Sequence, residues 1–193
     1  MPYLVAPVVP AGRMGDRSQP VLKTAGGLVL RPWEAGDAEV VLEAYRDPEI
    51  QQWNLRAFGS PEEAGAWIAQ WAGRWRAERD GCWAVADGAG TVLGRVALRE
   101  VRLPDGVGEC TYWVLPAARN RGVATAATAE VARWALDELG LHRLFLMHST
   151  ANPASCRVAA KAGFALEGTL RGAMLHPDGW HDMHLHGRVR GDV

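Results

Sequence analysis

The sequence predicts a mixed α/β fold, in which one sheet of about seven strands carries helices on its faces. Strand-like segments dominate the first half of the chain, whereas the second half alternates between strands and helices. This order of elements is typical of a mixed sheet with helices packed against it. The predicted strands are 28–31, 82–86, 91–101, 109–115, 143–148, 164–170 and 182–189.

The helices are predicted from capping and terminating residues. Asp37 begins a helix that runs to about Tyr45 and ends before Pro48. Ser60 begins a second, because a hydroxyl cap is followed by a proline in the first turn and by a glutamate three residues on. The predicted helices are 37–45, the segment from Ser60 that carries Trp67, Trp71 and Trp75, 123–139, and 152–162.

The chain has room for one domain with its own core, since it holds 193 residues of which 48% are hydrophobic. Residues 1–27 contain four prolines and show no periodicity, so they predict a loosely ordered arm. The domain is predicted over residues 28–190.

Composition argues against several classes of function. The formal net charge is −1, whereas a nucleic-acid-binding protein usually has a basic surplus. No stretch reaches the roughly 18 apolar residues of a membrane span. The three cysteines are too few and too scattered for a disulfide framework or a CxxC metal site, which favours a reducing, cytoplasmic compartment. We therefore expect no nucleic-acid or membrane partner.

The segment from Tyr112 to Thr125 predicts an anion site where a strand leads through a turn into a helix. A helix N-terminus has unpaired N–H groups and a partial positive charge, which suit a phosphate or pyrophosphate. Gly122 and Ala124 let the backbone come close, and Arg119 and Arg121 add charge. The spacing alone is equally compatible with a plain strand–helix turn with solvated arginines. Neither a P-loop nor a dinucleotide fingerprint is present.

A second helix start follows a later strand, at Asn152-Pro153-Ala154-Ser155. Asn152 is a natural helix cap, and this structural role alone would account for it. Ser155 lies near the same helix end, so both residues could face a ligand held by the first loop.

These motifs resemble those of a known enzyme superfamily. The run R-N-R-G-V-A at 119–124 is similar to the R/Q-x-x-G-x-A/G acyl-coenzyme A motif of the GNAT N-acetyltransferases. The runs L-G-L-H-R-L, N-P-A-S-C-R-V-A-A-K-A-G-F and G-W-H-D-M resemble its RimJ/RimL-like branch of ribosomal-protein N-terminal acetyltransferases. The resemblance covers about residues 28–190 and implies the GNAT fold.

The resemblance also implies a cofactor site for acetyl-CoA. Backbone amides of the loop would hold the pyrophosphate, the strand end would pair with the pantetheine arm, and Asn152 would contact the pantetheine or a water. The implied cofactor-binding residues are Trp113, Val114, Arg119, Asn120, Arg121, Gly122, Val123, Ala124, Thr125, Asn152 and Ser155.

The implied reaction moves acetyl directly from the thioester to an amine. The amine needs a base, for which Glu109 is the candidate and His148 the alternative. Glu109 is equally well explained as a solvated strand carboxylate. The thiolate needs a proton, for which Ser155 is the candidate, because the tyrosine that many relatives place seven residues after the asparagine is Ala159 here. Ala126 replaces a glutamate that is common in relatives, which puts in doubt any acceptor contact made there.

Acceptor-site residues are harder to predict. Trp53 and Trp67 could wall an acceptor pocket, although an aromatic stripe such as that of Trp67 usually packs in a core. Asp182 and His184 are further candidates near the acceptor: Asp182 matches the H-D element of the RimJ/RimL-like branch, which implies that it orients a loop, and His184 could line the acceptor channel. Asp182, His184 and His186 share a strand face, but alternate side chains diverge too far for a tetrahedral zinc site, so we expect no metal.

The function predicted is an acetyl-CoA-dependent N-acetyltransferase that acts on a protein N-terminus or a small-molecule amine. One alternative uses succinyl-CoA or another acyl-CoA, which a cation beside the acyl end would favour. Another is a catalytically silent CoA-binding regulatory module, which the presence of Glu109, Asn152 and Ser155 argues against. The resemblance also implies a homodimer, in which the N-terminal arm could exchange between subunits.

Overall fold

A computed structural model describes residues 4–192. Its centre is one eight-stranded sheet in the order β1-β2-β3-β4-β5-β6-β8-β7. Every neighbouring pair is antiparallel except β5 and β6, which are parallel. The strands are β1 (Leu22–Lys23), β2 (Val29–Pro32), β3 (Gly81–Ala86), β4 (Val92–Arg102), β5 (Val107–Val114), β6 (Arg143–Ser149), β7 (Ala165–His176) and β8 (Gly179–Val189).

Five α-helices flank the sheet: α1 (Ala38–Ala44), α2 (Pro48–Asn54), α3 (Pro61–Arg76), α4 (Val123–Arg133) and α5 (Pro153–Lys161). A π-helical segment, Trp134–Leu139, continues α4. The predicted start at Ser60 is confirmed, because its side chain accepts a hydrogen bond from the backbone N–H of Glu63. Among residues 4–192, no helix is both long and apolar enough to cross a bilayer.

Helix α2 is not predicted from the sequence. Pro48 was expected only to end the preceding helix, whereas it is the first residue of a new one. Asp47 caps this helix by accepting a hydrogen bond from the N–H of Ile50 at 2.9 Å. Proline is favoured at a first helical position, because the N–H it lacks would have no partner there. The other added element is β1, which raises the strand number from the predicted seven to eight.

Two cores form on opposite faces of the sheet because side chains of each strand alternate in direction. On β3, Trp83 and Val85 belong to the core beneath α4, whereas Cys82 and Ala84 belong to the core beneath α1 and α3. The tryptophan stripe of α3 lies within these cores, as the helical spacing indicates. Helix α3 reaches both cores, because Trp75 belongs to the core beneath α4 while Trp67 and Trp71 belong to the other.

Residues 8–24 pack against the domain, which differs from the loosely ordered arm expected for 1–27. Val9 and Met14 are buried in the core beneath α4. The Glu78 carboxylate accepts backbone N–H groups of this segment, including that of Met14 at 2.8 Å. The indole N–H groups of Trp75 and Trp83 donate to its carbonyls. Residues 1–3 lie outside the described residues, and the division at residue 27 stays a prediction.

The parallel pair β5–β6 is the feature that creates the site. Only three residue pairs are in register, and the last is Glu109 with Phe145. Beyond it β5 remains paired with β4 as far as Val114, while β6 remains paired with β8 as far as Ser149. The two strands therefore separate, and a wedge-shaped gap opens in the middle of the sheet.

Candidate active site

A cleft of about 780 Å³ occupies the gap between β5 and β6. It extends to α2, to the loop before α4 and to the N-terminus of α5. Twelve of the residues predicted for the site line it: Trp53, Glu109, Trp113, Val114, Arg119, Asn120, Gly122, Val123, Ala124, Thr125, Asn152 and Ser155. Segments far apart in sequence thus meet at the place where the sheet splits.

Four predicted residues lie away from this cleft. Arg121 is exposed to solvent, and Trp67 is buried in the core beneath α1 and α3. Asp182 is exposed and accepts a hydrogen bond from the N–H of Gly172 at 2.7 Å, so it holds a bend in β7. His184 is partly buried on β8, where it faces two other imidazole rings.

The loop before α4 presents backbone N–H groups to the cleft. Asn120 and Gly122 adopt the left-handed conformation, with φ values of 60° and 76°. Glycine is the residue that adopts this conformation at no steric cost. The first hydrogen bond at the helix start runs from the N–H of Ala126 to the carbonyl of Gly122. The N–H groups of Val123, Ala124 and Thr125 are thus the ones that a helix leaves unpaired, and groups of this kind are able to bind an anion.

Arg119 serves a different purpose from the one expected of it. Its guanidinium pairs with Asp47 at 2.6 Å and with Glu49 at 2.8 Å. Burial acts to raise the pKa of Asp47, but the Arg119 guanidinium and a backbone N–H outweigh it and hold that pKa low. The side chain of Arg119 therefore ties the loop to α2, which leaves the backbone N–H groups as the main groups that the loop offers to an anion.

Ser155 is paired with a residue that the sequence analysis did not single out. The amide oxygen of Asn152 caps α5 by accepting the N–H of Ser155 at 3.0 Å. The Ser155 hydroxyl lies 2.7 Å from the Tyr112 hydroxyl, across the cleft. Burial raises the pKa of Tyr112 to about 12, against the opposing effect of this hydrogen bond. Tyr112 therefore stays protonated at neutral pH and can donate a proton.

Glu109 lies at the closed end of the gap, because it is the last residue of β5 that pairs with β6. Burial raises the pKa of its carboxyl to about 7, although its cross-strand neighbour Arg99 acts to lower it. A carboxyl with this pKa is partly ionised at neutral pH and binds a proton more readily than an exposed one. These are the properties that a general base requires.

Arg95 places a buried cation in the same cleft. Its side chain is 5% exposed, and its Nε donates to the Cys82 sulfur at 3.0 Å. The guanidinium lies over the rings of Trp67 and Trp71, 5.8 and 5.4 Å from their centres. Within residues 4–192 it forms no ion pair with a carboxylate. Sequence alone gave no signal, since an arginine at an alternating strand position is usually solvated.

His148 lines the cleft from β6, but both of its ring nitrogens contact groups other than the β5 side of the gap. Its Nε2 lies 3.1 Å from Nε2 of His186, and its Nδ1 lies 2.8 Å from the carbonyl of Ser149. Burial lowers the pKa values of both His148 and His186. Glu109 is therefore the better placed of the two candidate bases.

A sheet that splits beside a helix start with unpaired N–H groups suits a ligand that combines phosphates with strand-like amides, such as an acyl-CoA thioester. Residues 27–165 match the family model described as the acetyltransferase (GNAT) domain. The chain belongs to the GNAT family of acetyltransferases.

Individual relatives agree with this assignment. The chain is 25% identical over 173 residues to the uncharacterized N-acetyltransferase YoaA of Bacillus subtilis, which covers 89% of this chain and 97% of that protein. Its fold is similar to RimL, the ribosomal L7/L12 alpha-N-protein acetyltransferase, in complex with coenzyme A (TM-score 0.79, 16% identity, 90% and 100% of the two chains). It is also similar to spermidine N-acetyltransferase from Vibrio cholerae with CoA and spermine (TM-score 0.77, 18% identity, 86% and 98%).

We predict that Glu109→Gln removes the limb of the pH–rate profile that rises through about pH 7. The free carboxylate is the active form of a base, so in the wild-type chain kcat/KM should increase as this group deprotonates. The measurement is kcat/KM against pH for both proteins.

The thermal stability of the same variant serves as the control for folding. A folded-state pKa above the unfolded one means that ionising this buried carboxyl destabilises the protein as pH rises from about 4.5 to about 7. Glu109→Gln should therefore unfold at a higher temperature than wild type at pH 8. An unchanged pH–rate profile in this stable variant would remove Glu109 from the role of base.

Proposed function

We propose that this chain transfers acetyl from acetyl-CoA directly to a primary amine. The observation that carries the proposal is the gap between β5 and β6, which has an anion site at its open end and Glu109 at its closed end. A thioester lying along the gap would have its phosphates at the loop and its acyl carbon near Glu109. The donor supplies an activated acyl group, and the chain supplies position and proton transfer.

Binding of the donor rests on backbone groups. The N–H groups of Val123, Ala124 and Thr125 would hold the pyrophosphate. The edge of β5 at Trp113 and Val114 no longer pairs with β6, so it has polar groups free for the amides of the pantetheine arm. Asn152 fixes the opposite wall by capping α5.

Two groups would manage the protons. The Glu109 carboxylate takes the proton from the attacking amine, because only the neutral amine is a nucleophile. The Tyr112–Ser155 hydroxyl pair supplies a proton or a hydrogen bond to the departing thiolate. Tyr112 and Ser155 thus take the place of the tyrosine that many relatives have where this chain has Ala159.

The acceptor is a cationic amine, either a protein N-terminus or a small molecule. Glu100 and Glu109 line the cleft and would attract a protonated amine before it loses its proton. The proteins of similar fold act on a ribosomal protein in one case and on spermidine in another. We place the reaction in the cytoplasm, in keeping with three unpaired cysteines, and subcellular fractionation checks this location.

One observation favours a second donor. Arg95 is a buried cation in the cleft that lacks a carboxylate partner in the described part of the chain. A dicarboxylic acyl group such as succinyl would place a carboxylate within this cleft. Succinyl-CoA is therefore the alternative donor.

The first experiment titrates the CoA-free protein with acetyl-CoA, succinyl-CoA and CoA by calorimetry, and then screens amines by release of free thiol. We expect acetyl-CoA to bind and at least one amine to be acetylated. Preferred binding of succinyl-CoA that is lost in Arg95→Gln would establish the second donor. Binding of CoA without turnover on any amine would identify a regulatory module and refute the enzymatic proposal.

Gly122→Glu is the variant that tests the loop within the same titration, with Gly122→Gln as its matched control. Both side chains occupy a left-handed position and strain it equally. Only the glutamate places a negative charge beside the phosphates, so we expect its loss of affinity to exceed that of the glutamine by at least about tenfold. Equal losses would mean that no phosphate binds at this helix start.

We predict that Ser155→Ala and Tyr112→Phe each lower kcat about ten- to a hundredfold while the affinity for acetyl-CoA changes little. The two hydroxyls act as one hydrogen-bonded pair, so the double variant should lose little more than either single one. Rapid-mixing kinetics separate this effect from binding. Multiplicative losses in the double variant would contradict the pair.

We also propose that the chain forms a homodimer through the edge strand β7. Leu166, Leu170 and Leu175 on β7 and Trp180 on β8 are large apolar side chains that are exposed at this edge. Isolated apolar residues are common on surfaces, but a row on an unpaired edge strand is typical of an interface. Leu170→Glu should convert a dimer to a monomer in analytical ultracentrifugation, whereas Val21→Glu should not. A monomeric wild-type protein would contradict the proposal.

A further inference from the structure

Three histidines and a cysteine converge on the face of the sheet that α5 covers. His148 comes from β6, His184 and His186 from β8, and Cys156 from α5. His148 and His184 are cross-strand partners, and His186 lies two residues beyond His184 on the same face. One nitrogen or sulfur atom of each residue lies within 4.8 Å of those of the other three.

The hydrogen bonds of two of these rings fix where their protons lie. Nδ1 of His148 is 2.8 Å from the carbonyl oxygen of Ser149, and Nδ1 of His186 is 3.4 Å from that of Phe164. A carbonyl oxygen only accepts, so both Nδ1 atoms carry the proton. The two Nε2 atoms, 3.1 Å apart, then present lone pairs to each other. Two lone pairs at this distance need a cation or a shared proton between them.

The position of the other two residues favours a metal ion over a shared proton. A shared proton would supply a partner only for the Nε2 atoms of His148 and His186, whereas potential ligand atoms of four residues converge at this point. Nδ1 of His184 is buried and has no hydrogen-bond partner among residues 4–192. Cys156 is a partly buried, unpaired thiol on the helix above. A shared proton would also put a full charge on a ring that is 1% exposed, His186.

We propose that His148, Cys156, His184 and His186 bind one zinc ion in a tetrahedral site. Imidazole and thiolate are the ligands that zinc prefers, and four protein ligands define a structural rather than a catalytic site. Nitrogen ligands of tetrahedral zinc lie about 3.3 Å apart, close to the 3.1 Å between the two Nε2 atoms. The two ligand atoms that lie farthest apart would move about 1 Å closer to each other when zinc binds.

The surroundings match those of known zinc sites. Metal-bound histidines usually donate their second ring N–H to a carbonyl or carboxylate, as His148 and His186 do here. On binding, the Cys156 thiol loses its proton to solvent and its sulfur forms the bond to zinc. The ion would fasten the first turns of α5 to β6 and β8. This inference does not depend on which acyl donor or acceptor the chain uses.

The test is metal binding by the full-length protein, without CoA, after treatment with a chelator. Zinc is titrated against a chromophoric competitor, and cobalt is used as a spectroscopic probe. We expect one zinc ion per chain, a higher unfolding temperature with zinc than without, and a cobalt spectrum with a thiolate charge-transfer band. Cys156→Ala should abolish that band, and both Cys156→Ala and His184→Ala should lower zinc affinity by more than about tenfold.

His142→Ala is the matched control, because His142 is exposed and lies outside the cluster. It should bind zinc as wild type does. The metal-free proteins are compared by circular dichroism, so that a folding defect is separated from a lost ligand. The proposal is overturned if wild type does not bind micromolar zinc, if both cluster variants bind it as wild type does, or if the thiolate band persists in Cys156→Ala.

Discussion

The separation of β5 from β6 after Glu109 is the constraint on which the rest of the structure depends. Strands that part in the middle of a sheet leave backbone N–H and C=O groups without their usual partners. Those groups need either water or a ligand that hydrogen-bonds as a strand does. The amides of a pantetheine arm have this property. The candidate binding site thus consists of strand N–H and C=O groups that lack partners in the sheet, and the side chains around them define the chemistry.

Close packing on either side of the gap holds the strands in these positions. A Cβ at Gly108 would lie 2.8 Å from a terminal methyl group of Leu98, so a larger residue just before the split would require the Leu98 side chain to move. A side chain at Gly94 would meet the carbonyl of Trp113 at 2.5 Å, at the far end of the same pair. β5 stays paired with β4 from Glu109 to Val114, and it is β6 that diverges with β8.

Sequence predicted the parts of the site that depend on local chemistry. The loop before α4 and the cap of α5 follow from glycine, proline and asparagine at short spacing, and a family resemblance supplied their roles. Tyr112, Arg95 and the histidine cluster were not predicted, because each depends on strand register or on residues distant in sequence. Tyr112 reaches Ser155 across 43 residues. His184 and His186 were predicted to diverge, and the donors that bring them to a common point, His148 and Cys156, come from other elements.

Helix α5, which lines the cleft opposite β5, is held in place by more than the burial of apolar side chains. Of its nine residues, all in the described part of the chain, only Ala159 is fully buried. Burial of so small a side chain contributes little to holding the helix in place. Two polar attachments hold its N-terminal end, the Asn152 cap and the hydrogen bond between Ser155 and Tyr112, and an ion bound at the cluster that includes Cys156 would add a third. Because Ser155 lies between the cap and the cluster, whatever binds there also sets the position of the proposed proton donor. A structural ion would thus act on catalysis through geometry alone.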